Sequence, residues 1–158
     1  RSKLKAEQAV FHAAENGLPA VVVCPTLPIG PGDRNLTPPG QMIVDFLEGR
    51  ISAYIEGILN FVDVRDAAVG HVLAAEKGEP GKRYILSGHN ISLYDFFHCL
   101  IGRLSGRKPQ SSVTGIKLCR YAAAFDGSRS WKYLGHTPRP LYESISDAIA
   151  WHLERLRS

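Results

Sequence analysis

Apolar positions along the chain fall into helical stripes separated by short continuous runs. From Leu4, Ala6, Ala9, Val10, Ala13 and Ala14 recur at helical spacing among the polar Glu7, Gln8 and Glu15, which predicts a helix. Asn16-Gly17 with Pro19 behind it stops that helix. Only Ser2 could cap its start, so the helix reads as already in progress and the chain is expected to begin inside a larger protein. Ala20 to Cys24 is a β-branched run between Pro19 and Pro25, as in a strand buried on both faces. Pro25 to Gly40 then holds Pro25, Pro28, Pro31, Pro38 and Pro39 with three glycines, a density that predicts a shaped loop without regular structure.

Further on, Gln41 to Gly49 reads as a short helix with Met42, Ile43, Phe46 and Leu47 inward, and Ile58 to Val62 as a second strand. Asp63-Val64-Arg65-Asp66 leads into a helix through Glu76, with Ala67, Ala68, Val69, Val72, Leu73 and Ala75 apolar and Gly78 as its stop. Arg83 to Ser87 is a third strand, and Ser92 caps a helix that runs to about Leu104. A polar connection over 106–115 precedes two weaker helical patterns, 116–124 and 128–134. The last helix, Leu141 to about Leu156, carries the stripe Ile145, Ala148, Ile149, Leu153 and Leu156. Strands alternating with helices predict an α/β chain with parallel pairing. Three strands make a thin sheet, so others are expected to lie elsewhere.

Composition narrows the class. The 158 residues suit one domain, and 44% apolar with 22% charged residues is ordinary for a globular chain. No apolar run approaches the roughly 20 residues of a membrane span, and the opening lacks the pattern of a signal peptide. Cys24, Cys99 and Cys119 are too few for a disulfide framework, which points to a reducing, cytoplasmic setting. The net charge of +4 raises nucleic acid as a partner, but Lys and Arg are scattered instead of clustered among aromatics; a basic surface around an anionic small molecule is the more economical account.

Several candidate motifs fail on their surroundings. Gly30-Pro31-Gly32 follows a buried strand as a dinucleotide fingerprint does, yet Asn35 stands at the third glycine position and proline-rich sequence follows. The six histidines never pair at i, i+4, so no metal site is expected. No Gly-x-Ser-x-Gly elbow supports a hydrolase. Asp63 and Asp66 around Arg65 read as caps with a local ion pair.

Taken in order, the segments form one layout. They are Ser2-Lys3-x-x-Ala6-Glu7, a strand ending Val23-Cys24-Pro25-Thr26, then Gly30-Pro31-Gly32-Asp33 and Phe61-Val62-Asp63-Val64-Arg65-Asp66-Ala67-Ala68. Arg83-Tyr84-Ile85-Leu86 and Leu134-Gly135-His136-Thr137-Pro138-Arg139-Pro140 complete it before Trp151. This resembles the C-terminal half of an extended short-chain dehydrogenase/reductase, in the NAD-dependent epimerase/dehydratase or dihydroflavonol-reductase-like branch, the hopanoid-associated sugar epimerase group included. The resemblance covers nearly the whole chain. It implies the C-terminal part of a Rossmann-type doubly wound sheet plus the small substrate-binding lobe, residues 1–24 ending the cofactor-binding domain and the remainder mixing the lobe with returning sheet elements.

The resemblance also implies roles. Lys3 matches the lysine of a Tyr-x-x-x-Lys pair, which holds the nicotinamide ribose hydroxyls of NAD or NADP and lowers the tyrosine's pKa. Pro25, Thr26, Leu27 and Pro28 match the segment that lies against the nicotinamide ring and hydrogen-bonds its amide. Thr37 to Gly40 resembles the turn closing over cofactor and substrate, which makes Gly40 a cofactor-binding residue. Asp63 and Asp66 would anchor the strand-to-helix junction. Expected chemistry is hydride transfer on a carbonyl or sugar-like small molecule, by a homodimer packed through Ala6, Ala9, Val10, Ala13 and Ala14. The partner tyrosine, the Ser/Thr that polarises the substrate and the glycine-rich loop fall outside the 158 residues, so this chain alone is expected to be inactive. The alternatives are a non-catalytic dinucleotide-binding domain and a truncated interaction domain of the same fold.

Overall fold

The computed structural model describes residues 2–50, 52–53, 57–104, 110–111 and 123–157. Its elements are α1 (Ser2–Glu15), β1 (Val22–Pro25), β2 (Leu27–Ile29), α2 (Pro38–Leu47), β3 (Ser52–Ala53), β4 (Ile58–Asp63), α3 (Val64–Lys77), β5 (Arg83–Leu86), β6 (His89–Ser92), α4 (Leu93–Leu104), β7 (Gln110–Ser111), α5 (Ser128–Leu134) and α6 (Leu141–Arg157). The alternation of strands and helices and the parallel pairing agree with the sequence. β1 pairs with β5 in parallel, with Val23 opposite Tyr84 and Cys24 opposite Ile85. β2 pairs with β4 in parallel, and β6 joins the other edge of β4 antiparallel, in the order β2-β4-β6. A short parallel pair, β3 with β7, stands apart from both.

Among the described residues the packing forms two hydrophobic cores, and β4 belongs to both. Its alternation sends Leu59 and Phe61 into a core with Met42, Ile43 and Phe46 of α2, Phe96, Phe97 and Leu100 of α4 and Ile145, Ala148 and Ile149 of α6. Val62 points the other way, into a core with Ala67 and Ala74 of α3, Tyr84 and Leu86 of β5 and Trp131 and Leu134 of α5. The ring of Phe61 stacks on that of Phe96 at 4.8 Å between centroids.

The structure corrects the sequence reading in several places. The proline-rich segment is not without regular structure. Leu27–Ile29 forms β2, an edge strand, where the missing N–H of the exposed Pro28 costs no ladder bond. α2 begins at Pro38 instead of Gln41, because two prolines in the first turn lack only donors that would be unpaired there anyway. The Asp33 carboxylate accepts from the Thr37 backbone N–H at 3.0 Å and from its hydroxyl at 2.7 Å, which holds the turn into that helix. β6 is an added strand, missed because His89-Asn90-Ile91-Ser92 carries one apolar residue; its closing Ser92 does cap α4, accepting from the Asp95 N–H at 3.0 Å.

β1 is only half-buried, not closed on both faces, since β5 alone pairs with it among the described residues. No residue of the predicted α1 stripe is fully buried: Val10, Ala13 and Ala14 are half-buried, and Leu4, Ala6 and Ala9 are exposed. α3 turns Asp66, Ala67, Gly70 and Ala74 inward while Val69 and Val72 are exposed. Leu156 is exposed, whereas Ile145, Ala148 and Ile149 pack as expected. The weak helix over 128–134 is real, ended by Gly135 in the left-handed region at φ 73°. The one over 116–124 lies largely outside the described residues, as do most of the polar connection and Cys119.

Candidate functional site

The two sheets meet where the chain changes from one to the other, and it does so twice at one level. Thr26 alone separates β1, in the first sheet, from β2, in the second. Ser87 and Gly88 make the same transfer between β5 and β6. Such a split at the carboxyl ends of parallel strands leaves backbone groups without ladder partners, and it is the place where open α/β sheets bind ligands.

The buried side chain of Asn60, on β4, fills the split. Its Oδ1 accepts from the Thr26 hydroxyl at 2.8 Å and from the Gly88 N–H at 2.9 Å. Its Nδ2 donates to Asn90 Oδ1 at 2.8 Å. Asn90 in turn brackets the Phe125 backbone, accepting from its N–H and donating to its carbonyl, both at 3.0 Å. Gly88 must be glycine, because a Cβ there would fall on the backbone of Phe61 and Val62.

Pro25, Thr26 and Leu27 line a cavity of about 230 Å³ together with Leu59, Asn60, Ala123 and Phe125. Its lining side chains are apolar except for those of Thr26 and Asn60. Pro28 and Gly40 belong to a second cavity of about 220 Å³, between the Gly30–Asp33 turn, the start of α2 and His152 of α6. Gly40 is buried, and a Cβ there would collide with the Asp33 carboxylate and come within 3.1 Å of His152 Nε2. His152 is buried, and among the described residues its Nε2 has no hydrogen-bond partner. Burial pushes its pKa below the ordinary histidine range and Arg155 pushes the same way, while Asp33 opposes them. Lys3 sits on the exposed first turn of α1. Thus Pro25, Thr26 and Leu27 are gathered at one cavity and Pro28 and Gly40 at another, with Lys3 on a separate element.

The junction residues have divided roles. Asp63 caps α3 by accepting the Arg65 N–H at 2.8 Å and forms an ion pair with the Arg65 guanidinium at 2.6 Å. Burial raises the Asp63 pKa, but hydrogen bonds from Arg65 and Ser144 outweigh it and hold the carboxyl below its ordinary value. Asp66 reaches instead across 70 residues: His136 Nε2 lies 3.0 Å from its carboxylate, the Arg139 N–H donates at 2.6 Å and the Arg139 guanidinium pairs with it. The sequence reading missed this link. It missed Asn60, Asn90, Asp33 and His152 as well; a lone polar residue inside the apolar run Ile58–Val62 was the one signal that could have singled out Asn60.

Cys24 is no candidate nucleophile. Burial foremost, then Glu7, raises its thiol pKa, against a smaller opposite pull from Arg83. Among the described residues no group of three His, Cys, Asp or Glu side chains is placed to hold a metal ion. No helix among them is long and apolar enough to cross a membrane.

No family model matches the chain. Individual proteins do. A dihydroflavonol 4-reductase-like protein of Synechocystis sp. is 32% identical over 96% of this chain and 53% of its own length. The crystal structure of a nucleoside-diphosphate-sugar epimerase from Pseudomonas aeruginosa superposes with a TM-score of 0.84 at 26% identity, over 97% of this chain and 54% of that one. The chain belongs to the extended short-chain dehydrogenase/reductase family, NAD-dependent epimerase/dehydratase group, and matches its C-terminal part. A further member, the yeast methylglyoxal/isovaleraldehyde reductase Gre2, was solved with NADPH and matches with a TM-score of 0.63 at 25% identity, over 86% of this chain and 46% of that one. The chain spans about half the length of the relatives it matches, and its Rossmann-type α/β architecture is theirs.

Proposed function

We propose that this short-chain dehydrogenase/reductase chain is the C-terminal part of an NAD(P)-dependent reductase or epimerase acting on a carbonyl or sugar-like small molecule. The observation that carries this reading is the cavity at the sheet split, where Pro25, Thr26 and Leu27 meet Leu59 and Phe125 around one hydroxyl and one amide. A flat heteroaromatic ring with a single polar substituent fits such walls: apolar faces take the ring, and the hydroxyl fixes its orientation. When bound, the nicotinamide cofactor supplies hydride transfer to or from the substrate carbon.

The chain's own residues orient and tune. Pro25 and Leu27 exclude water from one side of the ring, and Thr26 holds the polar substituent. Lys3 provides a cation for ribose hydroxyls and for a tyrosine four positions before it in the longer protein, keeping that phenol acidic enough to exchange a proton. Thr37 to Gly40, tied down by Asp33, closes the neighbouring cavity. α1 leaves Ala6, Ala9 and Val10 at least partly exposed in this chain, which supports a homodimer formed through that face. Among the described residues Cys24 and Cys99 are free thiols, in keeping with a cytoplasmic setting.

The test is a substrate screen on the gene's full-length product. With NADH or NADPH, a panel of aldehydes and ketones is expected to include compounds whose reduction consumes the cofactor, or a panel of nucleoside-diphosphate sugars to include one that is epimerised. Turnover with a carbonyl alone selects the reductase branch and turnover with a sugar nucleotide selects the epimerase branch. The absence of both across broad panels contradicts the reading.

A further inference from the structure

The hydrogen bonds at the sheet split have a fixed direction, and it determines what the cavity can hold. Three backbone groups set it. The Gly88 N–H can only donate, so the Asn60 side-chain atom 2.9 Å away is the carbonyl oxygen. The Phe125 N–H and C=O fix Asn90 in the same way, placing its Oδ1 toward Asn60 Nδ2. With Asn60 Oδ1 facing Thr26 at 2.8 Å, the Thr26 hydroxyl must be the donor in that bond. The other oxygen near that hydroxyl, the Leu86 carbonyl at 3.4 Å, is also an acceptor. A threonine hydroxyl has one proton and two lone pairs. The proton is committed to the protein, so only lone pairs are left for a ligand.

We propose that Asn60 is a positioning residue which, with Asn90, fixes the Thr26 hydroxyl as a pure hydrogen-bond acceptor, so that the cavity selects a head group carrying an N–H or O–H donor. Resting on the functional reading above, that donor is the carboxamide NH₂ of nicotinamide. The selectivity follows from the cost of an unpaired group: a ligand that turns a carbonyl oxygen toward Thr26 sets two acceptors against each other, and nothing in the ladder can reverse, because each amide is held by backbone. Asn60 touches neither ring nor substrate in this account; it acts through Thr26.

The experiment compares equilibrium binding of two oxidised dinucleotides to the full-length product by calorimetry. One is the form of NAD or NADP it prefers. The other is the 3-acetylpyridine analogue of that form, in which a methyl ketone replaces the carboxamide and no donor remains. The native protein is expected to bind the analogue about tenfold more weakly, the loss of one net hydrogen bond. Thr26→Val, of nearly the same shape, is expected to weaken the natural dinucleotide to the analogue's level, and Thr26→Ser to keep the tenfold ratio. Asn60→Ala leaves the Thr26 proton only the long 3.4 Å contact with the Leu86 carbonyl, so it can turn to a ketone, and is expected to bring the ratio toward one. A ratio of one in the native protein, or a tenfold ratio surviving in Thr26→Val or Asn60→Ala, overturns the inference while leaving the functional reading in place. Binding of neither dinucleotide overturns the functional reading, and this inference with it.

Discussion

Replacing Asp66 with alanine is expected to cost the full-length protein about 3 kcal/mol of stability, the low end of the range for breaking a buried charge pair. The carboxylate is fully buried at the start of α3, while His136 and Arg139 are partly exposed. Those two lie in the connection between α5 and α6, and the Arg139 carbonyl accepts in turn from His89 at 2.9 Å. Two distant parts of the chain are therefore tied at one carboxylate, and His89 ties a third to Arg139. Asp66→Ala strands the Arg139 N–H and removes the counter-charge from a guanidinium, and both losses add to the void. Differential scanning calorimetry should place the midpoint roughly 10 °C lower, at a few degrees per kcal/mol for a protein of this size. Asp66→Asn retains an acceptor for the N–H without the charge and is expected to fall between. An unchanged midpoint in Asp66→Ala would show that the clamp contributes nothing.

Replacing Lys3 with alanine is expected to have the opposite profile, with stability intact and turnover lost. Lys3 is exposed on the first turn of α1, so its removal opens no void and frees no buried partner. In the proposed mechanism its charge keeps a neighbouring phenol acidic. Without that cation the phenol's pKa rises, and oxidation, which needs the phenolate, moves to higher pH. The expected result is a fall in kcat of about a hundredfold or more at neutral pH, as for loss of general acid–base assistance. The alkaline shift of the pH–rate profile separates this from a packing defect. Full turnover in Lys3→Ala would remove Lys3 from the site.

Much of this architecture was legible in the sequence because its strongest signals are local. The stripes of α2 and α6 and the runs of β4 and β5 reflect burial of one face or of a whole strand, which the order of apolar residues reports directly. The elements missed were those held by tertiary partners. β2 stands as an edge strand despite Pro28 because β4 supplies its pairing. β6 exists because β4 offers a second edge to a segment with a single apolar residue. The site divides in the same way. Pro25, Thr26 and Leu27 follow a recognisable strand and line one cavity, whereas Pro28, grouped with them in the sequence, lines the neighbouring one. Asn60 meets Thr26 across 34 residues, and Asp66 meets His136 across 70, contacts that no periodicity encodes. Asn60 was read as an ordinary strand position and Asp66 as a local cap, because their partners were invisible.

The central claim is that the cavity at the sheet split holds the nicotinamide end of a dinucleotide. The most direct measurement is titration of NADH and NADPH into the gene's full-length product, followed by energy transfer from protein tryptophan to the reduced nicotinamide. Saturable binding of one or both at micromolar concentration, weakened in Thr26→Val, is the result predicted. No saturable transfer with either cofactor, from a protein that melts cooperatively, would contradict the claim and leave a family fold without the cofactor chemistry.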